Sequence, residues 1–305
     1  MKCLVVGYGS IGARHTRLLV DLGCEVAVVS ERDIDFKRRY RSLTQAVQQF
    51  QPEYLVIANK TQEHLSSLLE LKTLNYQGRV LVEKPIFNKT ESIDCSDFKK
   101  IAVAYNLRFH PVIVRLKDLI DEVDVLESMQ VYAGQYLPDW RPDSDYRKCY
   151  SASLGQGGGV LRDLSHELDY INWLLGPLDR VASIGGHFSN LEISSDDVWA
   201  IIAEYKKCRA LTLQLNYLDR TPRREIIFHA NGQTVKGDLV ANTLEINGKR
   251  ECVAVSADVT YIEQHKAMMS DDCNSSLACV RSALEVVSTV EAIEEASINK
   301  TWVYI

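Results

Sequence analysis

Lys2-Cys3-Leu4-Val5-Val6-Gly7-Tyr8-Gly9-Ser10-Ile11-Gly12 is the stretch whose reading decides the fold. Four consecutive apolar residues read as a strand buried on both faces, and the G-x-G-x-x-G spacing behind them opens a helix expected from residue 11 to about 22. Strand, glycine turn and helix in that order make a cradle for a dinucleotide. Gly7 permits the tight turn, Gly9 lets backbone N–H groups approach a pyrophosphate, and Gly12 lets helix and strand pack closely. The helix N-terminus at Ser10 and Ile11 supplies partial positive charge.

Outward from this stretch, apolar runs at 25–29, 54–58, 80–82 and 101–104 alternate with helical patterns, among them 61–74. Continuous Val/Ile/Leu strands separated by helices predict an α/β Rossmann domain, a doubly wound parallel sheet covered on both faces, over residues 1–120. The pattern then changes. A helix opened by Pro111 runs to about 122, a long strand is expected over 125–136, a Pro/Asp/Trp/Tyr-rich loop extends to about 156, and one amphipathic helix covers 160–175. Strand-like runs at 181–190, 198–205, 210–216, 225–230 and 233–236 follow, with Asn231-Gly232 as a hairpin signal. Residues 121–305 are therefore expected to form an α+β domain with a mostly antiparallel open sheet.

Composition narrows the function classes. The 305 residues are 46% hydrophobic and 25% charged with net charge −6, and no Lys/Arg block stands out, which argues against a nucleic-acid partner. No window approaches the roughly 18 apolar residues of a membrane span, and Met1-Lys2 runs into the first strand without a signal-peptide pattern, so a cytoplasmic protein with no membrane partner is expected. Eight scattered cysteines with no C-x-x-C pair point to reduced thiols, and no His/Cys cluster has metal-ligand spacing.

The end of the second strand distinguishes NAD from NADP, because an acid there accepts from the ribose 2′-hydroxyl whereas a small polar residue plus Arg accommodates a 2′-phosphate. Val29-Ser30-Glu31-Arg32 offers both: Ser30 with Arg32 suits NADP, and Glu31 suits NAD. The expected cofactor is NAD(P).

Two further motifs carry a resemblance. Glu83-Lys84-Pro85 follows the 80–82 strand, and Gly157-Gly158-Gly159-Val160-Leu161-Arg162-Asp163-Leu164-Ser165-His166-Glu167-Leu168-Asp169 opens the helix of the second domain. With the glycine fingerprint and Tyr105-Asn106-Leu107-Arg108-Phe109-His110-Pro111, the chain resembles the glucose–fructose oxidoreductase/inositol dehydrogenase (Gfo/Idh/MocA) family over nearly its full length. The resemblance implies hydride exchange between NAD(P) and a carbinol of a sugar or cyclitol, and a homo-oligomer, dimer or tetramer, built on the open sheet. By motif match Lys84 contacts the reacting hydroxyl and His166 is the acid/base, roles that fit alcohol oxidation, which needs a base for the O–H proton and a cation near the alkoxide. Asp163 is the third candidate, although the family commonly spaces it one residue further from the His than here.

Asn59, Thr61, His64, Glu83 and Lys84 match the family's cofactor edge; Thr61 also reads as a helix N-cap. Expected substrate contacts are Lys84, Asn106, Arg108, His166 and Asp169, with Tyr136, Trp140, Arg141 and Tyr146 in an aromatic- and Arg-rich lid. Arg108, Arg141 and Arg147 suggest an anionic or nucleotide-activated sugar, and the H-E-x-D-Y form of the helix motif resembles enzymes of surface-carbohydrate metabolism. The competing readings are an NAD-dependent glycoside hydrolase of the same family and a non-catalytic NAD(P) sensor.

Overall fold

The computed structural model describes residues 1–305. It divides into two compact units, Met1–Phe109 with Asp258–Val287, and His110–Ala257 with Ser288–Ile305.

The first unit runs β1 (Lys2–Val6), α1 (Ser10–Asp21), β2 (Glu25–Val29), β3 (Arg39–Tyr40), α2 (Leu43–Phe50), β4 (Tyr54–Ile57), α3 (His64–Thr73), β5 (Arg79–Val82) and β6 (Lys100–Val103). The strands form one parallel sheet in the order β3-β2-β1-β4-β5-β6. Cys3, Leu4 and Val5, all of β4, and Val80 to Val82 have no exposed surface, which is why these strands carry no polar alternation. Strand order reverses at β1, between β2 and β4, and the crevice beyond the carboxyl ends at such a reversal is where sheets of this class bind ligands. The helix expected over 61–74 begins as a 3-10 turn, Thr61–Glu63, before α3.

The second unit contains α4 (Pro111–Asp121), β7 (Ser128–Gly134), α5 (Val160–Asp163), α6 (Ser165–Leu175), β8 (Leu178–Gly186), β9 (Val198–Tyr205), β10 (Cys208–Asn216), β11 (Arg223–Ala230), β12 (Gln233–Asp238), β13 (Thr243–Ile246) and β14 (Lys249–Cys252). The chain ends with α7 (Val259–Met269), α8 (Val280–Asn299) and β15 (Val303–Tyr304). Nine strands in the order β14-β13-β12-β11-β7-β10-β9-β8-β15 make a sheet that is antiparallel except where β7 and β10 pair. Along β9, Trp199, Ile201, Ala203 and Tyr205 are buried while Ala200 and Ile202 are exposed, the two-residue alternation of a sheet covered on one face.

Two sequence expectations are corrected. The single helix over 160–175 is broken at Leu164, whose φ of −93° and ψ of 28° end α5 before α6 starts. The strand expected over 125–136 is confined to β7 and passes into a 3-10 turn at Leu137–Trp140 around Pro138, which has no N–H for a ladder. The two units also partition the chain differently from 1–120 and 121–305. The helix that Pro111 opens buries Val112, Ile113, Leu116 and Ile120 in the second unit, where a Cβ on Gly237 of β12 would meet Leu116, and α7 returns to the first unit. A periodic apolar stripe reveals that a helix is half buried, not which sheet it covers.

No helix is long and apolar enough to cross a membrane. The eight cysteines are free thiols, and no group of three His, Cys, Asp or Glu side chains could hold a metal ion.

Candidate active site

The glycine turn between β1 and α1 is shaped from within on two sides and open on the third. Gly7 has φ +94°, and a Cβ there would lie 2.6 Å from the carbonyl oxygen of Ala58; a Cβ on Gly12 would strike the carbonyl oxygen of Gly7. At Gly9 nothing lies within 4 Å of the Cβ position. Gly9 is also the N-cap of α1 and offers no side chain to its free N–H groups. Beside the turn, Asn59 donates to Ser67 Oγ at 3.0 Å, and its own Oδ1 is buried with no donor. Open space before an uncapped helix terminus, with an orphaned acceptor in the adjoining loop, fits the pyrophosphate and ribose of NAD(P). Ser10, Ile11 and Asn59 would hold it there.

At the end of β2, Ser30 is buried and donates to the Arg32 carbonyl at 3.2 Å, while Arg32 reaches the Tyr8 carbonyl in the glycine turn at 3.5 Å. Glu31 is exposed beside it. Arg39 and Arg41 converge on Asp33, at 2.6 and 3.2 Å, and the Arg39 guanidinium above all holds that carboxyl below its ordinary range.

Lys84, one residue beyond Glu83 at the end of β5, sits on a segment gripped from both sides. Glu83 Oε2 accepts the Lys84 backbone N–H at 3.0 Å. Glu83 Oε1 lies 2.8 Å from His15 Nε2, His15 Nδ1 lies 2.9 Å from His265 Nε2, and His265 Nδ1 lies 2.8 Å from the Tyr54 hydroxyl. All four side chains are buried. Burial drives the His265 imidazole well below its usual range, with His15 adding to the shift, and pushes the Tyr54 phenol well up, so both are neutral. With a carboxylate at one end and a phenol at the other, only one direction satisfies every atom: Tyr54 donates to His265, His265 to His15, and His15 to Glu83. On the far side, His64 Nδ1 donates to the carbonyls of Pro85 and Ile86, both at 3.1 Å; burial lowers its pKa, and its Nε2 is buried without a partner. His64 thus holds the segment after Lys84, a role the sequence did not announce. Thr61 opens the 3-10 turn before α3. Asn106 and Arg108 are buried in this same unit, donating to Thr260 at 2.6 Å and Ser282 at 3.3 Å.

In the second unit, Gly157 to Gly159 lead into α5. Asp196 caps that helix in place of a local residue: its carboxylate accepts the Leu161 N–H at 3.0 Å and the Trp199 indole N–H at 2.8 Å. Asp163, the last residue of α5, accepts from the Tyr217 hydroxyl at 2.6 Å, and the Trp140 ring meets Tyr217 edge-on at 5.3 Å. Burial, followed by the Asp163 charge, raises the Tyr217 phenol far above its usual range, so it stays a donor. His166 is half-buried in the first turn of α6; because α5 and α6 are separate helices, its relation to Asp163 is not that of residues three apart on one helix face. The next residue, Glu167, is fully buried and takes Arg224 Nε of β11 at 2.8 Å, and Asp169 is buried within α6.

Of the lid residues, Tyr136 and Trp140 flank the 3-10 turn after β7, where Leu137 N–H bonds the Tyr217 carbonyl at 3.1 Å, and Arg141 ends that turn. Tyr146 accepts the Glu192 N–H at 3.3 Å. Sequence reasoning missed His15, Tyr54, His265, Asp196 and Tyr217, none of which lies in a local motif.

Residues 113–253 match the family model described as the GFO/IDH/MocA C-terminal domain, and residues 1–83 match one described as NAD(P)-binding. The Bacillus subtilis (strain 168) protein YteT, named as an oxidoreductase, is 22% identical over 131 residues, 41% of this chain, and the match spans only 30% of that protein's length. Among solved structures, levoglucosan dehydrogenase in complex with NADH superposes with TM-score 0.82 at 14% identity, covering 100% of this chain and 99% of that one. The WlbA dehydrogenase from Bordetella pertussis, in complex with NADH and UDP-GlcNAcA, superposes with TM-score 0.78 at 15% identity, covering 100% and 97%. At such identities the likeness is one of fold. With an NAD(P)-binding domain at 1–83 and the family's own second domain at 113–253, the chain belongs to the Gfo/Idh/MocA oxidoreductases.

Proposed function

We propose that this protein is an NAD(P)-dependent oxidoreductase that exchanges hydride with a secondary carbinol of a sugar, with Lys84 and His166 acting at the carbinol oxygen. The observation that carries the reading is the open Gly9 position before the uncapped N-terminus of α1. When bound, the nicotinamide supplies the hydride acceptor. In oxidation His166 takes the hydroxyl proton and the Lys84 ammonium stabilises the developing alkoxide; in reduction the same groups return the proton to the ketone oxygen. Asp163 accepts from the Tyr217 hydroxyl in the second unit, at the end of the short helix that precedes the one carrying His166.

A homo-oligomer through the uncovered sheet face is supported by Ile184 and Ile202 on that face, 69% and 53% exposed, with Phe188 just beyond β8 62% exposed. A reducing compartment, the cytoplasm, suits eight free thiols.

Lys84→Met and His166→Ala should each lower turnover by about 10² to 10⁴ while dinucleotide affinity changes little. Near-normal turnover in both variants overturns the assignment. Product formed with no net change in nicotinamide absorbance would instead assign glycoside hydrolysis.

A further inference from the structure

The oxidoreductase reading leaves the class of sugar open, and the second unit narrows it. Arg147, one of the arginines that mark an anionic substrate in the sequence, is already neutralised by Asp145 at 2.8 Å and Glu192 at 3.2 Å. Arg108 is buried in the other unit.

Arg220 is different. It is exposed, has no carboxylate within ion-pair distance, and its guanidinium carbon lies 3.5 Å from the centroid of the Tyr136 ring. The turn that presents it is fixed from below by Asn216, which is 3% exposed: Oδ1 accepts the N–H groups of Leu218 and Asp219 at 2.8 and 3.0 Å, and Nδ2 donates to the Tyr132 hydroxyl at 2.9 Å. Because β7 and β10 run parallel with Gly134 opposite Asn216, Tyr136 and Arg220 leave adjacent strand ends. The same ends carry Tyr217, the partner of Asp163, and Trp140, whose indole N–H is buried with no acceptor. An unpaired guanidinium held over an aromatic face has lost much of its conformational freedom, and it still offers its fork of N–H groups to an anion.

We infer that Arg220 and Tyr136 form the subsite for an anionic group of the sugar substrate, a carboxylate or a phosphate. The inference rests on the oxidoreductase reading and names its substrate class. A guanidinium that only covered Tyr136 would make the same ring contact but would discriminate no anion from a neutral sugar. Bidentate pairing with a carboxylate or phosphate would do so by roughly ten- to a hundred-fold in affinity.

The test is calorimetric titration of the full chain, saturated with NADPH or NADH, with glucose, glucuronate, glucose 1-phosphate and UDP-glucose. At least one anionic probe should bind ten-fold or more tightly than glucose, and Arg220→Ala should remove that advantage while Arg220→Lys keeps part of it. Preference for glucuronate identifies a carboxylate, and preference for the two phosphorylated probes identifies a phosphate. Equal binding of glucose and all three anionic probes, or an anion preference that survives Arg220→Ala, overturns the inference. Dinucleotide affinity is measured in the same samples: a wild-type chain that binds neither NADH nor NADPH defeats the oxidoreductase reading itself, whereas normal dinucleotide binding with no effect of Arg220 defeats only the subsite.

Discussion

Two glycine turns open helices in this chain, Gly7-Tyr8-Gly9 before α1 and Gly157-Gly158-Gly159 before α5, and they use glycine for opposite reasons. In the first, Gly7 and Gly12 are packed against the chain while the Gly9 side faces open space, and the helix N-terminus has no cap. In the second, the space is filled by the protein itself. A Cβ on Gly158 would strike the Tyr150 carbonyl, one on Gly159 would strike Asp196, and the Asp196 carboxylate already takes the Leu161 N–H. A glycine-rich turn before a helix therefore does not mark an anion site unless some glycine has nothing opposite it. One turn is a cradle; the other is a joint.

The sharpest way to break this contrast is to add side chains to both. Gly158→Val places two methyl groups against the backbone at Tyr150 and Ser151, which cannot yield without moving the loop, so a loss of at least about 3 kcal/mol in unfolding free energy is expected. Gly9→Val should leave the melting temperature near wild type and lower NAD(P) affinity by about a hundred-fold or more, close to 2.7 kcal/mol. Calorimetry and thermal melts on the pair decide it. A Gly9→Val variant that still binds dinucleotide normally removes the cradle, and a Gly158→Val variant as stable as wild type removes the joint.

A smaller effect sharpens the second half. Asp196→Ala should cost about 1–2 kcal/mol, the worth of a helix cap and an indole hydrogen bond, with no change in dinucleotide affinity. Burial raises the Asp196 pKa above its unfolded value, so the stability this carboxyl adds is fullest at low pH and is lost as pH rises through its folded value. Urea titrations at successive pH values should show a fall in stability with rising pH that is shallower in the alanine variant. Equal slopes would mean that Asp196 is not the titrating group.

The contrast also shows what sequence can disclose. Gly7, Gly9, Gly12 and Glu83-Lys84-Pro85 are legible because each motif follows a run of consecutive buried apolar residues, Cys3 to Val6 or Val80 to Val82, so the local pattern alone marks where the strand ends. Strands β7 to β12 are legible as strand-like runs joined by turn signals, whereas β13, β14 and β15 are not: β14 is exposed along its whole length and β15 is two residues long. The break at Leu164 is not legible, because Val160, Leu161, Leu164, Leu168 and Ile171 keep helical spacing across it. Nor are the groups behind Lys84: His15 and His265 are 250 residues apart, and neither stands in a motif. Arg220 and Tyr217 sit where β10 ends, and their partners Tyr136 and Asp163 are supplied by register and packing rather than by neighbours in sequence. Elements missed elsewhere include β3 and α2, because Arg39–Tyr40 is too short for a pattern and Leu43–Phe50 carries three glutamines, and the helices α7 and α8.

The smallest expected effect concerns which dinucleotide the open cradle takes. Ser30 is buried at the end of β2, and Arg32 leans onto the Tyr8 carbonyl of the glycine turn, so a cation stands beside the place where a ribose 2′-substituent would lie. Ser30→Asp would put a carboxylate there, repelling a 2′-phosphate and offering an acceptor to a 2′-hydroxyl. The ratio of NADP to NAD affinity should then fall by about ten-fold, or 1.4 kcal/mol, modest because Arg32 is exposed and solvent screens the new charge. Fluorescence titration with both cofactors gives the ratio directly, and Arg32→Ala should shift it the same way without the repulsion. If neither substitution moves the ratio, the 2′ position is read elsewhere along the β2–β3 segment, with Arg39 and Arg41 beside Asp33 the next residues to change.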